Sequence, residues 1–163
     1  MIVSLGEALI DRIYSVEETK PEVREGGSPY NVAIALSRLN IDAGFICPLS
    51  QDAYGTLLAN RLKENGVHCC IEKRVSSPTA TADVSTDQHG HPKYRFQRSG
   101  TADRALHDNP PVESLPETIE ALHFGSLVLA EEHDWPAWRE AIIEARSRGA
   151  FISFDPNLRP ALI

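Results

Sequence analysis

Residues 121–155 read ALHFGSLVLAEEHDWPAWREAIIEARSRGAFISFD. The apolar run Ala121–Leu129 has the length and composition of a buried strand. A helical pattern follows over Trp135–Arg148, opened by Asp134 as N-cap of the Asp134-Trp135-Pro136-Ala137 start and closed by Gly149. Ala150–Asp155 is a second short apolar run. Strand, helix and strand in succession, with no hairpin turn between them, form a βαβ unit whose strands run parallel.

Towards the N-terminus the alternation repeats. Ile2–Leu5 is a short apolar run ending at Gly6. Ser28 as N-cap and Pro29 at the first helical position open a helix, with Val32, Ala35, Leu36 and Leu39 as its apolar stripe. Gly44–Leu49 reads as a strand, Tyr54–Asn65 as an amphipathic helix with Leu57, Leu58 and Leu62, Gly66 as its C-terminal cap, and Val67–Ile71 as a further strand. The pattern predicts an α/β fold with a mainly parallel sheet. One stretch departs from it. Thr79–Thr86 and Pro92–Arg98 alternate with period two across Asp87-Gln88-His89-Gly90-His91, a hairpin signal. A hairpin inserted into a βαβ chain covers an edge or forms a lid. After Ala150–Asp155 no closing helix follows, so the sheet is expected to be unfinished at that side.

Composition narrows the function classes. The 163 residues fit one domain, and 42% hydrophobic with 24% charged residues is the balance of a globular protein. No apolar run approaches the ~20 residues that span a bilayer, and Met1–Glu7 lacks the basic and apolar regions of a secretory signal. A net charge of -7 without a basic block predicts neither a nucleic-acid nor a membrane partner. Cys47, Cys69 and Cys70 cannot form a disulfide framework, which points to a reducing cytoplasm. His89 and His91 have no further ligands at usable spacing, so no metal is expected there. Neither a G-x-G-x-x-G turn after the first strand nor a P-loop occurs.

The chemistry-bearing residues cluster at strand ends and at one helix start. In Glu25-Gly26-Gly27-Ser28-Pro29-Tyr30-Asn31, two glycines permit close backbone approach to a ligand, and free N–H groups at the helix start can meet its oxygens. Asn31 in the first turn can donate and accept at once, which suits hydroxyl groups. Asp11 is expected just beyond the first strand, at the carboxyl end where α/β sheets bind ligands. Tyr94, Phe96 and Arg98 share one face of the second hairpin strand.

Four segments in order, Gly6-Glu7-Ala8-Leu9-Ile10-Asp11, Gly26 to Asn31, Phe124-Gly125-Ser126 and Asp155-Pro156-Asn157-Leu158-Arg159-Pro160, resemble the N-terminal half of the PfkB (ribokinase-like) carbohydrate kinases. The flavour is fructokinase-like, with 2-keto-3-deoxygluconate kinases as near relatives. The resemblance implies a Rossmann-like α/β/α sandwich with a small β-sheet lid, residues 1–163 forming one incomplete domain with lid strands around 12–25 and 71–98. It implies ATP and Mg²⁺ as cofactors, transfer of a phosphoryl group to a hydroxyl of a small sugar, and room for a lid-mediated homodimer. Matched position by position, Asp11, Gly26, Gly27, Asn31, Phe96 and Arg98 are expected to contact the sugar. Asn157 and Arg159 are expected near the transferred phosphate.

The family's catalytic aspartate sits in a Gly-Ala-Gly-Asp helix start, and that tetrapeptide occurs nowhere between Met1 and Ile163. The 163 residues are therefore expected to carry the sugar side without the catalytic residue, and to be inactive alone. The readings from other classes are a non-catalytic sugar-binding or regulatory module and a structural interaction module.

Overall fold

The computed structural model describes residues 1–14, 20–86 and 92–157. In chain order they form β1 (Ile2–Leu5), β2 (Leu9–Ile13), β3 (Glu22–Gly26), α1 (Ser28–Arg38), β4 (Ala43–Ile46), α2 (Ala53–Glu64), β5 (His68–Cys69), β6 (Ala80–Thr86), β7 (Pro92–Gln97), β8 (Ala121–Gly125), α3 (Trp135–Ser147) and β9 (Phe151–Asp155). Two sheets result. One is parallel, in the order β5-β4-β1-β8-β9; the other has the order β3-β2-β6-β7.

The parallel sheet carries helices on both faces because its strands are apolar on both sides. Val3 and Leu5 point to the α3 side, where they join Leu122, Phe124, Trp138, Ala141 and Ala145 in one buried cluster. Phe45 points the other way, into a cluster with Tyr30, Ala33, Ile34, Leu58 and Leu62 from α1 and α2. Period two separates these sets, and Ser4 falls between apolar neighbours on the α1 side. Its buried hydroxyl donates to the Pro29 carbonyl at 2.7 Å, so the polar group is matched.

The period-two runs do pair antiparallel, as β6 and β7, in a sheet separate from the parallel one. β2 joins that sheet parallel to β6, and β3 pairs antiparallel on its other side. The predicted hairpin turn, residues 87–91, lies outside the described residues, as does Arg159.

Several local expectations need correction. The run Ala121–Leu129 is not one strand: β8 stops at Gly125, and Ser126–Leu129 turn as a 3-10 helix. Ser126 has φ 58, a backbone state that β pairing does not tolerate. The strand expected over Val67–Ile71 is reduced to His68–Cys69. Asp134 does not cap α3 with its side chain, because its carboxylate accepts from Arg104 Nε at 2.6 Å. At α1 the N-cap is Gly27, not Ser28. The buried stripe of α1 is Pro29, Tyr30, Ala33 and Ile34, whereas Ala35 is exposed and Leu39 is 70% exposed. Both stripes have helical spacing, so periodicity alone could not choose between them. Tyr30 settles it: its ring meets Phe45 edge-on at 5.6 Å, and its hydroxyl donates to the Leu58 carbonyl at 3.0 Å.

Candidate sugar-side cleft

Asp11 is not at the end of β1. The chain leaves the parallel sheet at Leu5 and enters the second sheet at Leu9, so Asp11 sits inside β2, paired with Arg24 on one side and Ala82 on the other. Its face of the sheet also holds Leu9 and Phe96. That face looks onto a cleft of about 500 Å³ lined by Glu7, Leu9, Asp11, Gly27, Ser28, Asn31, Tyr94, Phe96, Ser126 and Asn157, among others. One wall is the second sheet. The opposite wall is the start of α1, and the 126–127 turn closes the end.

The two glycines have separate reasons to be glycine. A Cβ on Gly26 would lie 2.5 Å from Asp11 Oδ2, so any side chain there displaces the carboxylate. Gly27 has φ 112, and a Cβ would lie 2.5 Å from the Glu7 carbonyl oxygen. Asp11 itself is half-buried, and the loss of water around it raises its carboxyl above the ordinary aspartate value. Across the cleft, Asn31 is exposed on the first turn of α1. Tyr94 and Phe96 stack with ring centroids 6.1 Å apart and present apolar faces to the same space. A carboxylate acceptor, an amide and two rings can together bind a small molecule with several hydroxyls and C–H faces.

Arg98 takes a different place from the one its spacing suggests. It is buried beside Asp103, with Nε and Nη2 at 3.0 and 2.8 Å from Asp103 Oδ2, and Nη1 donates to the Leu127 carbonyl at 3.4 Å. Thr101 donates to the other Asp103 oxygen at 2.6 Å. The guanidinium therefore braces the end of β7 and is not among the residues that line the cleft. Asn157 is at the cleft, with φ 41 and its backbone N–H on Asp155 Oδ1 at 3.0 Å, and its side chain donates to Ser126 Oγ at 3.4 Å. Two residues with positive φ, Ser126 and Asn157, thus meet at one end of the site. Such backbone is often found at ligand sites.

Sequence reasoning passed over Glu7, which is 2% exposed and lines the cleft. Its Oε1 accepts from the Ser28 N–H at 3.1 Å and its Oε2 from the Leu127 N–H at 3.3 Å. Burial pushes its carboxyl up to about 7, against the opposing pull of its own backbone N–H, of the Ser126 side chain, of the Ser28 N–H and of the Arg98 charge. A signal was present: Glu7 is the one ionisable side chain in the mostly apolar run Ile2–Ile10, and a charge in such a run needs buried partners.

A family model, the pfkB family carbohydrate kinases, matches residues 1–163. The chain belongs to that family. Among curated relatives, it is 37% identical to fructokinase-1 of Oryza sativa subsp. japonica over 99% of this chain and 52% of that protein. It is 36% identical to probable fructokinase-4 of Arabidopsis thaliana over 98% of this chain and 51% of that protein. The chain thus spans about half the length of the curated relatives it matches. Its backbone superimposes on the crystal structure of fructokinase from Xylella fastidiosa with a TM-score of 0.87 at 30% identity, covering 99% of this chain and 53% of that one. The structure of the same enzyme with bound ATP matches with a TM-score of 0.86. The ribokinase-like fold, with its mainly parallel sheet, holds for this pfkB-family chain. Among the described residues no three acidic, imidazole or thiol side chains gather as an ion site. No described helix is long and apolar enough to cross a membrane.

Proposed function

We propose that the protein, in its complete form, is an ATP-dependent sugar kinase of fructokinase type, and that the cleft between the second sheet and α1 is its sugar site. The observation that carries this reading is the placement of Asp11 against Gly26, opposite Asn31, with Phe96 and Tyr94 over the same space. Asp11 would accept from a sugar hydroxyl and orient it, while Asn31 bonds a second. Gly26 and Gly27 keep this wall thin enough for both. The ring of Phe96 would cover the C–H face of the sugar and exclude water from it. ATP supplies the transferred phosphoryl group when bound. Asn157 and Ser126, which follow β9 and β8, line the end of the cleft where that group would approach. Arg159 extends the same expectation into the undescribed segment. Arg98 enters this reading as the brace behind Phe96 and not as a sugar contact.

The second sheet serves in this proposal as a lid. Its Ile13, Val84 and Tyr94 lie in register across three strands, and Tyr94 is 49% exposed, which supports pairing of two copies through this face. A cytoplasmic location belongs to the same reading, supported by three free thiols.

A coupled assay with Mg-ATP and fructose tests the proposal. The complete protein should phosphorylate fructose, and purified Met1–Ile163 should not, since no Gly-Ala-Gly-Asp occurs in it. Asp11→Ala in the complete protein should lower kcat/KM by roughly ten- to a hundredfold, the size of a lost hydrogen bond to a charged group. Unchanged kinetics in a folded variant would take Asp11 out of the site. Turnover by Met1–Ile163, free of host kinase, would mean that the catalytic group lies within these residues.

A further inference from the structure

Glu7 is a buried carboxylate whose role the sugar contacts leave unexplained. Its two oxygens take one N–H from each of two cleft walls: Ser28 in the first turn of α1 and Leu127 in the turn after β8. No side chain caps α1 locally, so Glu7 caps it from 21 residues away in sequence, where the helix dipole favours a negative charge. The Leu127 peptide is held at both ends. Its N–H goes to Glu7 and its carbonyl accepts from Arg98 Nη1, and Arg98 follows directly on β7. A continuous chain of bonds therefore runs from the second sheet through Leu127 and Glu7 to the helix that carries Asn31.

We infer that Glu7 is a positioning residue for the sugar site, whose ionised carboxylate clamps the start of α1 to the 126–127 turn and so sets the distance between the two walls of the cleft. The inference rests on the sugar reading above. The carboxylate suits the task because each oxygen meets an N–H donor. A neutral amide at this place would turn an NH₂ group towards one of those donors and lose that bond. A proton on the carboxyl competes with the clamp in the same way, and burial brings that competition to neutral pH.

The charged and titratable groups around Glu7 are few. Arg98, directly after β7, favours its ionised form, and Asp103, in the 3-10 turn Ala102–Arg104, offsets Arg98 by pairing with it. Cys47, after β4, is buried near all three, and its thiol is pushed well above the usual value by burial. Asp11 shares the cleft. The Ser28 and Leu127 amides donate directly to the Glu7 carboxylate, so those two signals report on it.

The test uses the full chain and D-fructose as the probe. In a pH series, the amide resonances of Ser28 and Leu127 should shift with one shared midpoint near neutrality, and fructose affinity should rise through the same midpoint. Glu7→Gln should weaken fructose binding roughly tenfold at pH 8 and remove both titrations. If Glu7→Gln fails to fold, Ser28→Pro deletes one donor at a helix position that accepts proline, and it should weaken binding and shift the Leu127 midpoint. Fructose affinity in the folded variant equal to that of the wild type at every pH would overturn the inference, and so would Ser28 and Leu127 amides that titrate independently. A shared amide titration without any hexose binding sinks the sugar reading instead, and the positioning role with it, while leaving the clamp as a structural bond.

Discussion

At the residue scale, Asp11 and Gly26 form one unit. The glycine does not need special backbone angles; it needs to lack a Cβ, because the Asp11 carboxylate occupies that space. Gly26→Ala should therefore act on Asp11 more than on the fold. The expected result is a several-fold rise in the sugar concentration needed for half-saturation, with a melting temperature within a few degrees of the wild type. A variant with normal sugar response would show that Asp11 moves aside without cost. Phe96 lay open to sequence reading, because two residues apart on a strand share a face. Arg98 shares that face by the same rule, yet Asp103 captures it. No spacing rule connects positions 98 and 103, since the pairing depends on how the chain turns after β7.

At the scale of elements, two of the polar joints between secondary structures make testable contributions to stability. Asp52 caps α2 by accepting from the Gly55 N–H at 2.7 Å, and it also accepts from the Thr79 N–H at 2.8 Å and the Thr79 hydroxyl at 2.7 Å. It thereby ties the helix to the start of β6. Burial alone would raise its carboxyl, but the bonds from Thr79, Gly55 and Ser50 outweigh burial and hold it below the ordinary aspartate value. The folded value lies below the unfolded one, so this stabilisation is present above the unfolded value and is lost as pH falls through the folded one. Asp52→Ala should cost about 1–2 kcal/mol at pH 7, and the deficit against the wild type should shrink in acid. Urea melts at pH 7 and pH 3 would check both statements. The second joint is Arg98–Asp103, buried on both sides. Asp103→Ala leaves an uncompensated cation, and roughly 3–5 kcal/mol of stability should go with it. Thermal melting of that variant decides the point; a loss under ~1 kcal/mol would mean that water reaches Arg98.

At the scale of the whole molecule, the parallel sheet has unequal edges. β5 is two residues long, whereas β9 is a five-residue edge strand with Phe151 71% and Phe154 50% exposed. The ring of Phe154 stacks on Phe124 at 4.9 Å, but Phe151 lies on the opposite face of the strand. A long edge with exposed aromatic rings is prone to pairing with other chains. The 163-residue chain should therefore self-associate as concentration rises. Phe151→Ser should remove the larger species in sedimentation velocity and leave any dimer that forms through the second sheet. Large species that persist in Phe151→Ser would place the sticky surface elsewhere.

The alternation of strand and helix, the hairpin pattern of β6 and β7 and the glycine pair before α1 were all legible from local order alone. Each depends on periodicity or on a backbone requirement of a few adjacent residues, and these are properties that neighbours along the chain share. The motif order also carried the family. What the amino-acid order could not disclose depends on partners distant in sequence. The face of α1 that is buried was chosen by Phe45 and Leu58, and Asp11 went to the second sheet because β2 pairs with β6. Glu7 became a clamp because Leu127, 120 residues away, delivers its N–H to the same carboxylate as Ser28. Hydrogen bonds and packing act at contact distance, and only the folded chain brings such residues into contact.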